Sequence, residues 1–254
     1  MRVFQSRCNI YQMGTRINKF IASSGYCSRR AADELILAGR VRINGLPASP
    51  GSSVSGDDEV TVDGNPVSVR SPRMIAFYKP CGVVCTSSDR DRAVSVNEYL
   101  GLTEHLFPVG RLDKDSEGLL LLTNMGDLAE KIARAGTAHE KEYLVTCKRP
   151  LSGAFIDRMR RGVQITIPEN RSTTGREEIY ITKPCKVDRL DERTFDIILT
   201  EGKNRQIRRM TEALGNKVTG LRRIRIMNIE LGELAAGECR ELSPEEIHKL
   251  EEVL

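Results

Sequence analysis

Three acidic side chains, Asp113, Asp115 and Glu117, alternate along Val109-Gly-Arg-Leu-Asp-Lys-Asp-Ser-Glu-Gly118, directly ahead of the aliphatic run Leu119–Leu122. A carboxylate can act as nucleophile or general base, but Asp and Ser in such loops more often bond their own backbone in a turn. A two-carboxylate glycosidase needs its carboxyls about 5 Å or about 6.5–9.5 Å apart across a sugar, which neighbours in one loop rarely achieve. A second group is Glu201-Gly-Lys-Asn-Arg-Gln-Ile-Arg-Arg-Met210, a Gly-opened loop running into a helix with a basic first turn. Residues 201–225 carry eight basic and two acidic side chains, whereas 230–254 carry eight Glu against Arg240 and Lys249. A basic stretch is usually a solvated face. Here Lys203, Asn204, Arg205 and Arg209 offer point charges and amide edges suited to phosphates and bases. The third piece is Tyr143 in Glu140-Lys-Glu-Tyr-Leu-Val145. A tyrosine in a strand is ordinarily core packing, yet its ring can also hold an extruded base.

The elements that must position these residues follow from periodicity. Leu119–Thr123, Lys141–Thr146, Phe195–Thr200 and Ile224–Leu231 read as strands, as do Met74–Tyr78 and Val83–Thr86 around Lys79-Pro-Cys-Gly82. Asp127–Arg134, Phe155–Arg160, Arg205–Leu214 and Pro244–Val253, the last capped by Ser243, read as helices. Strands without regular βαβ alternation imply an α+β region rather than a doubly wound sheet. Ahead of it, Ile17, Phe20 and Ile21 give one helix an apolar face. Ser28 caps a second helix over 29–38, and Asn44-Gly45 and Asp63-Gly64 mark hairpin turns. This first unit spans 15–67 and a polar linker spans 68–73, leaving 74–254 as the larger domain. Residues 1–14 have no periodicity, and either Met1 or Met13 could be the start. Six basic residues (Arg16, Lys19, Arg29, Arg30, Arg40 and Arg42) against Asp33 and Glu34 make the small unit a polyanion-facing patch.

Composition narrows the partners. The 254 residues carry a net charge of +4, and Arg outnumbers Lys 28 to 11. Arg suits phosphate pairing and stacking on bases, although a GC-rich genome would give the same bias. No apolar run approaches the ~20 residues of a membrane helix. Seven scattered Cys without a CxxC pair, and three His, supply neither zinc spacing nor a disulfide framework. Reduced thiols in a cytoplasmic protein without metal or organic cofactor are expected.

The motifs carry two resemblances. Arg16-Ile-Asn-Lys-Phe-Ile21, Gly25-Tyr-Cys-Ser-Arg-Arg-Ala-Ala-Asp33 and Gly39-Arg-Val-Arg-Ile-Asn-Gly45 resemble the S4 RNA-binding domain, a small α-L module. Lys79-Pro-Cys-Gly82, Gly110-Arg-Leu-Asp113, Lys141-Glu-Tyr143 and Gly202-Lys-Asn-Arg-Gln-Ile-Arg208-Arg-Met210 are similar to the motifs of bacterial pseudouridine synthases. Across about 16–250 the chain looks most like the S4-bearing branch. Within that branch it is most similar to the F type of 23S rRNA synthase, without that type's basic tail. Many relatives have Gly where Met227 or Asn228 stands. The resemblance implies an α+β catalytic domain around a long mixed, largely antiparallel sheet with a central cleft. It makes Asp113 the essential carboxylate and leaves open attack on C1′, attack on C6, or removal of the C2′ proton. Tyr143 and Ile207 would bracket the uracil, Arg111 would help extrude the nucleotide, and Arg208 would pair with Asp113. Arg209, one position along the helix, should point elsewhere. Arg16, Lys19, Arg29, Arg30, Arg40, Lys203, Asn204, Arg205 and Arg209 would bind RNA. The expected partner is structured RNA, 23S rRNA foremost, for a monomeric enzyme. Small-subunit rRNA, a tRNA, or a non-catalytic ribosome-binding role are the alternatives.

Overall fold

The computed structural model describes residues 14–68, 70–85, 93–133, 139–168 and 177–254. The N-terminal extension through Met13, Thr86 and Arg134 lie outside them.

The first element is the short strand β1 (Thr15–Arg16). Helices α1 (Ile17–Ser23) and α2 (Arg29–Leu37) follow, and the Ser28 hydroxyl accepts the Ala31 N–H at 3.2 Å to cap α2. Strands β2 (Val41–Ile43), β3 (Leu46–Pro47), β4 (Ser53–Val54), β5 (Val60–Val62) and β6 (Asn65–Pro66) come next. The sheet β3-β2-β5-β6 is closed by two tight turns, Asn44-Gly45 and Asp63-Gly64. All four of those residues have positive φ, the geometry for which Asn-Gly and Asp-Gly are chosen. Ile17, Phe20, Ile21, Ala32, Val41 and Val62 bury the apolar faces together.

The described residues up to Met74 form one compact unit that also takes in 101–107 and 122–127. The 70–73 segment, expected to be a tether, is pinned inside it. Arg73 and Arg70 reach Glu104 at 2.5 and 3.8 Å. Asn124 accepts the Arg73 N–H at 2.9 Å and donates to the Ser71 carbonyl at 3.0 Å.

The remainder runs β7 (Met74–Lys79), α3 (Val96–Leu100), β8 (Phe107–Pro108), β9 (Glu117–Thr123), α4 (Gly126–Ala133) and β10 (Lys141–Cys147). It continues α5 (Gly153–Arg161), β11 (Gln164–Pro168), β12 (Glu177–Ile181), β13 (Lys186–Arg189), β14 (Thr194–Leu199) and α6 (Gln206–Ala213). It ends β15 (Val218–Ile226), β16 (Ile229–Glu230), β17 (Cys239–Glu241) and α7 (Pro244–Glu252). A mixed sheet ordered β13-β14-β10-β15-β9-β7-β17 is the frame. β10 pairs antiparallel with β14 and β15, while β15 meets β9 in parallel, so the sheet is largely antiparallel and the fold is α+β. Phe195, Ile197 and Leu199 alternate inward from β14 and pack with Val145, Phe155, Met159 and Met210 under α5 and α6. Ser152 caps α5, and Ser243 with Glu246 makes a capping box at α7.

Two expected strands are corrected. Val83–Cys85 leaves the sheet: Val84 makes an isolated bridge to Ser95, and the Cys85 thiol bonds the Leu112 main chain at 3.3 Å. The last long strand starts at Val218, not Ile224, because its charged middle is placed by pairing with β10. It also stops at Ile226, where Met227 turns the chain at φ 54°, a conformation that glycine adopts more cheaply.

Candidate active site

The loop from Gly110 to Ser116 joins β8 to β9 and carries Asp113. Its back is held by the Lys79–Gly82 turn. Gly82, at φ 94°, donates its N–H to the Lys114 carbonyl at 2.7 Å. Lys79 is fully buried and spends its ammonium on the Pro80 and Val83 carbonyls, both at 2.9 Å. Burial pushes that ammonium below the usual lysine range, partly opposed by Cys85, Cys81 and Asp113. Lys79 is thus a strut under the loop, the part the Lys-Pro-Cys-Gly motif plays here.

Facing the loop is the start of α6. Arg205 occupies the position before the helix in the left-handed region, φ 50° and ψ 35°, which is strained for a residue with a Cβ. Its guanidinium lies bidentate on Asp115, at 2.9 and 2.8 Å, and its Nη1 is 3.5 Å from Asp113 Oδ2. The Arg205 hydrogen bonds hold the Asp115 carboxyl below the usual carboxylate range. Arg208 lies one helical turn along. Its Nη2 donates to the Asp115 carbonyl at 2.6 Å and the Ser116 hydroxyl at 3.2 Å, and its Nε is 3.4 Å from Asp115 Oδ2. The expected Arg208–Asp113 pair is therefore replaced: Arg205 approaches Asp113, and Arg208 clasps Asp115. The left-handed turn at Arg205 brings its side chain back across the loop, which helical periodicity does not foresee. Arg209 turns away, to the Thr166 carbonyl at 2.6 Å and Asn204 Oδ1 at 3.2 Å.

A cavity of about 490 Å³ opens beside Asp113, with Arg111, Lys141, Tyr143 and Ile207 on its walls. Lys141 and Tyr143 share one face of β10, since alternate strand residues point the same way. The 201–206 loop forms another wall and is internally braced. Glu201 accepts from the Tyr180 hydroxyl at 2.7 Å, the Lys183 N–H at 3.0 Å and the Gln206 amide at 2.7 Å. The bond to Glu201 pushes the Tyr180 hydroxyl up to about 12. Lys203 stacks its ammonium 4.0 Å from the centre of the Tyr180 ring.

The residues expected to meet RNA divide by their partners. Arg40 is committed to Asp63 at 2.7 and 2.5 Å, and Lys19 to Asp127 at 2.7 Å. Arg16, Arg29 and Arg30 are exposed, with no ion pair among the described residues. Sequence reasoning gave no role to Asp115 or to Arg223, which is 2% exposed and donates to the Leu119 carbonyl at 2.7 Å. The alternate acidic spacing at least pointed to Asp115; an arginine inside a charged run gave no signal.

With this geometry in place, the chain belongs to the RNA pseudouridylate synthase family, whose model matches residues 73–213, and it carries an S4 domain over 15–60. It is a pseudouridine synthase with an RNA-binding module. It is 44% identical over 236 residues to the dual-specificity RNA pseudouridine synthase RluF of Salmonella typhi, spanning 92% of this chain and 77% of that one. It is 33% identical to the ribosomal large subunit pseudouridine synthase B of Bacillus subtilis, spanning 92% and 95%. A solved pseudouridylate synthase structure superposes with a TM-score of 0.62 at 31% identity, covering 92% of this chain and 99% of that one.

Proposed function

We propose that this enzyme isomerises a uridine of 23S ribosomal RNA, acting as a cytoplasmic monomer with Asp113 as the essential carboxylate. The observation that carries the reading is that Asp113 shares the wall of one cavity with Tyr143 and Ile207, with Arg205 3.5 Å from its carboxylate. A uridine extruded from the RNA would lie between Tyr143 and Ile207 with its C1′ toward Asp113, and Arg111 would occupy the gap it leaves. The carboxylate then either bonds the sugar or takes its C2′ proton while the N1–C1′ bond breaks. The uracil turns, C5 joins C1′ as the sugar–carboxylate bond breaks or the C2′ proton returns, the C5 proton leaves and N1 takes up a proton, which balances as an isomerisation. Lys203, Asn204 and Arg205 line the cavity, Arg209 braces Asn204, and the S4 unit adds Arg16, Arg29 and Arg30 as phosphate contacts. The likeness to a large-subunit enzyme favours 23S rRNA over small-subunit rRNA or a tRNA.

The test is pseudouridine mapping of total RNA from cells with and without the gene. One 23S rRNA site should vanish and return with the wild-type gene but not with Asp113→Asn. Loss confined to 16S rRNA or tRNA would overturn the RNA assignment, and restoration by Asp113→Asn would overturn the role of Asp113.

A further inference from the structure

Lys141 and Arg223 line the cavity, Lys79 feels the charge of Arg223 from beneath the loop, and none of these three cations has a carboxylate within ion-pair distance among the described residues. Lys79 is fully buried, Arg223 is 2% exposed, and Lys141 is half-buried on the cavity wall. Their hydrogen bonds go to carbonyls: Lys79 to Pro80 and Val83, Arg223 to Leu119 and Arg111, Lys141 to His139 at 3.2 Å. Arg223 Nη2 is buried with no partner. The neighbours on β15 are treated differently. Arg222 pairs with Glu117 at 2.9 Å, and Arg225 with Glu142 at 2.5 Å and Glu140 at 3.1 Å. Burial, then repulsion by Arg223, pushes the Lys141 ammonium below the ordinary lysine range.

Unpaired buried cations are costly, and groups kept in that state beside a cavity mark a functional site. They fit a negative charge that arrives with the substrate or arises in it. A backbone phosphate would suit an exposed rim, whereas Lys141 is a half-buried wall residue, two residues from Tyr143 on the same strand face. Resting on the reading above, the charge that forms there belongs to the base. When N1–C1′ breaks, its electron pair passes to the uracil and spreads over N1, O2 and O4. It remains there until C5 bonds C1′ and the C5 proton leaves.

We propose that Lys141 is a catalytic residue that donates a hydrogen bond to a carbonyl oxygen of the departing uracil, with Arg223 behind it supplying further positive potential. Lys141 keeps its proton throughout; it stabilises the anion and transfers nothing. Preorganised positive charge aimed at a developing anion is commonly worth about 10²–10³ in rate.

The experiment compares wild type, Lys141→Met, Lys141→Arg and Asp113→Asn in single turnover. The substrate is the RNA segment whose pseudouridine disappears with the gene, transcribed with uridine or with 5-fluorouridine. Cleavage of the N1–C1′ bond and RNA affinity are both read. Fluorine withdraws charge from the uracil anion and reduces the help it needs. Lys141→Met should lose about 10²-fold with uridine, and the loss should shrink by about an order of magnitude with 5-fluorouridine. Its Kd should be unchanged, and Lys141→Arg should recover part of the rate. An equal deficit with both substrates, a wild-type rate, or a loss confined to Kd with a shallower salt dependence would overturn the proposal; the last marks a phosphate contact. An active Asp113→Asn would instead strike the reading on which it rests. Melting curves separate these outcomes from misfolding.

Discussion

Replacing Gly118 with Ala should strongly destabilise the larger unit at the seam that holds the catalytic loop. Gly118 has φ 103° and pairs with Arg223 where β9 meets β15 in parallel. A Cβ there would stand 2.7 Å from the Arg223 N and 3.0 Å from its carbonyl carbon, and closer still to the carbonyl oxygen. These are backbone atoms, so no rotamer relieves the clash and the strands must part. A left-handed backbone costs alanine about 1–2 kcal/mol. The broken ladder forfeits one or two hydrogen bonds at about 1 kcal/mol each, and the buried Arg223 bond to Leu119 adds about 1–3 kcal/mol if left unmade. The total, about 3–7 kcal/mol, rivals the roughly 5–15 kcal/mol that holds a domain together. Gly110→Ala is the control: φ is 74°, but nothing lies within 4 Å of its Cβ, so only the backbone cost remains. In urea, with m near 2 kcal/mol/M, Gly118→Ala should move the midpoint by about 2 M and Gly110→Ala by under about 1 M. Equal shifts for the two would refute the steric argument.

Arg208→Ala should lower the melting temperature and the single-turnover rate together, because a guanidinium bonded to the Asp115 carbonyl and Ser116 is worth about 1.5–3 kcal/mol. Arg205→Ala should slow the chemical step by only about two- to fivefold with little change in melting, its contact to Asp113 being partly exposed; the reverse pattern would mean the two roles are exchanged. Changing Arg16, Arg29 and Arg30 together to Gln should make the slope of log K against log salt shallower by about 2–3 while single-turnover rates at saturation hold. An unchanged slope would remove them from the interface. Burial, reinforced by Glu142, pushes the Asp196 carboxyl up to about 6. Between the unfolded value near 4 and that folded value the native state binds the extra proton, so this group's stabilisation falls as pH rises through 6. Asp196→Asn should therefore melt above wild type at pH 8 and alongside it at pH 4; melting below wild type at pH 8 would contradict this.

Features encoded within a few residues were legible in the sequence. Asn44-Gly45 and Asp63-Gly64 announce turns because few other residues accept positive φ, and Ser28 and Ser243 announce helix starts because their hydroxyls meet the next turn's N–H groups. The Asp113 loop was visible for its acidic spacing, and its motif carried the family. What escaped depends on partners far along the chain. Arg205 meets Asp115 across 90 positions, and only the left-handed turn ahead of α6 decides that it, and not Arg208, approaches Asp113. Arg223 reads as one more surface charge until β10 and β9 enclose its strand. β12 pairs with β11 although its Ile179 and Ile181 remain 69% exposed, so burial periodicity gives no sign of it, whereas β11 buries Ile165 and Ile167 in alternation. Met227 makes a turn that its side chain does not advertise.

The role of Asp113 is tested most directly by single-turnover conversion with Asp113→Asn at saturating enzyme, on the RNA segment identified by mapping, with Kd measured in parallel. Asn preserves the shape but can neither bond the sugar nor accept its proton, and the basic surfaces that supply affinity are untouched. Pseudouridine formation should fall to the uncatalysed background while Kd stays at the wild-type value. Turnover by Asp113→Asn at a measurable fraction of the wild-type rate would contradict the assignment.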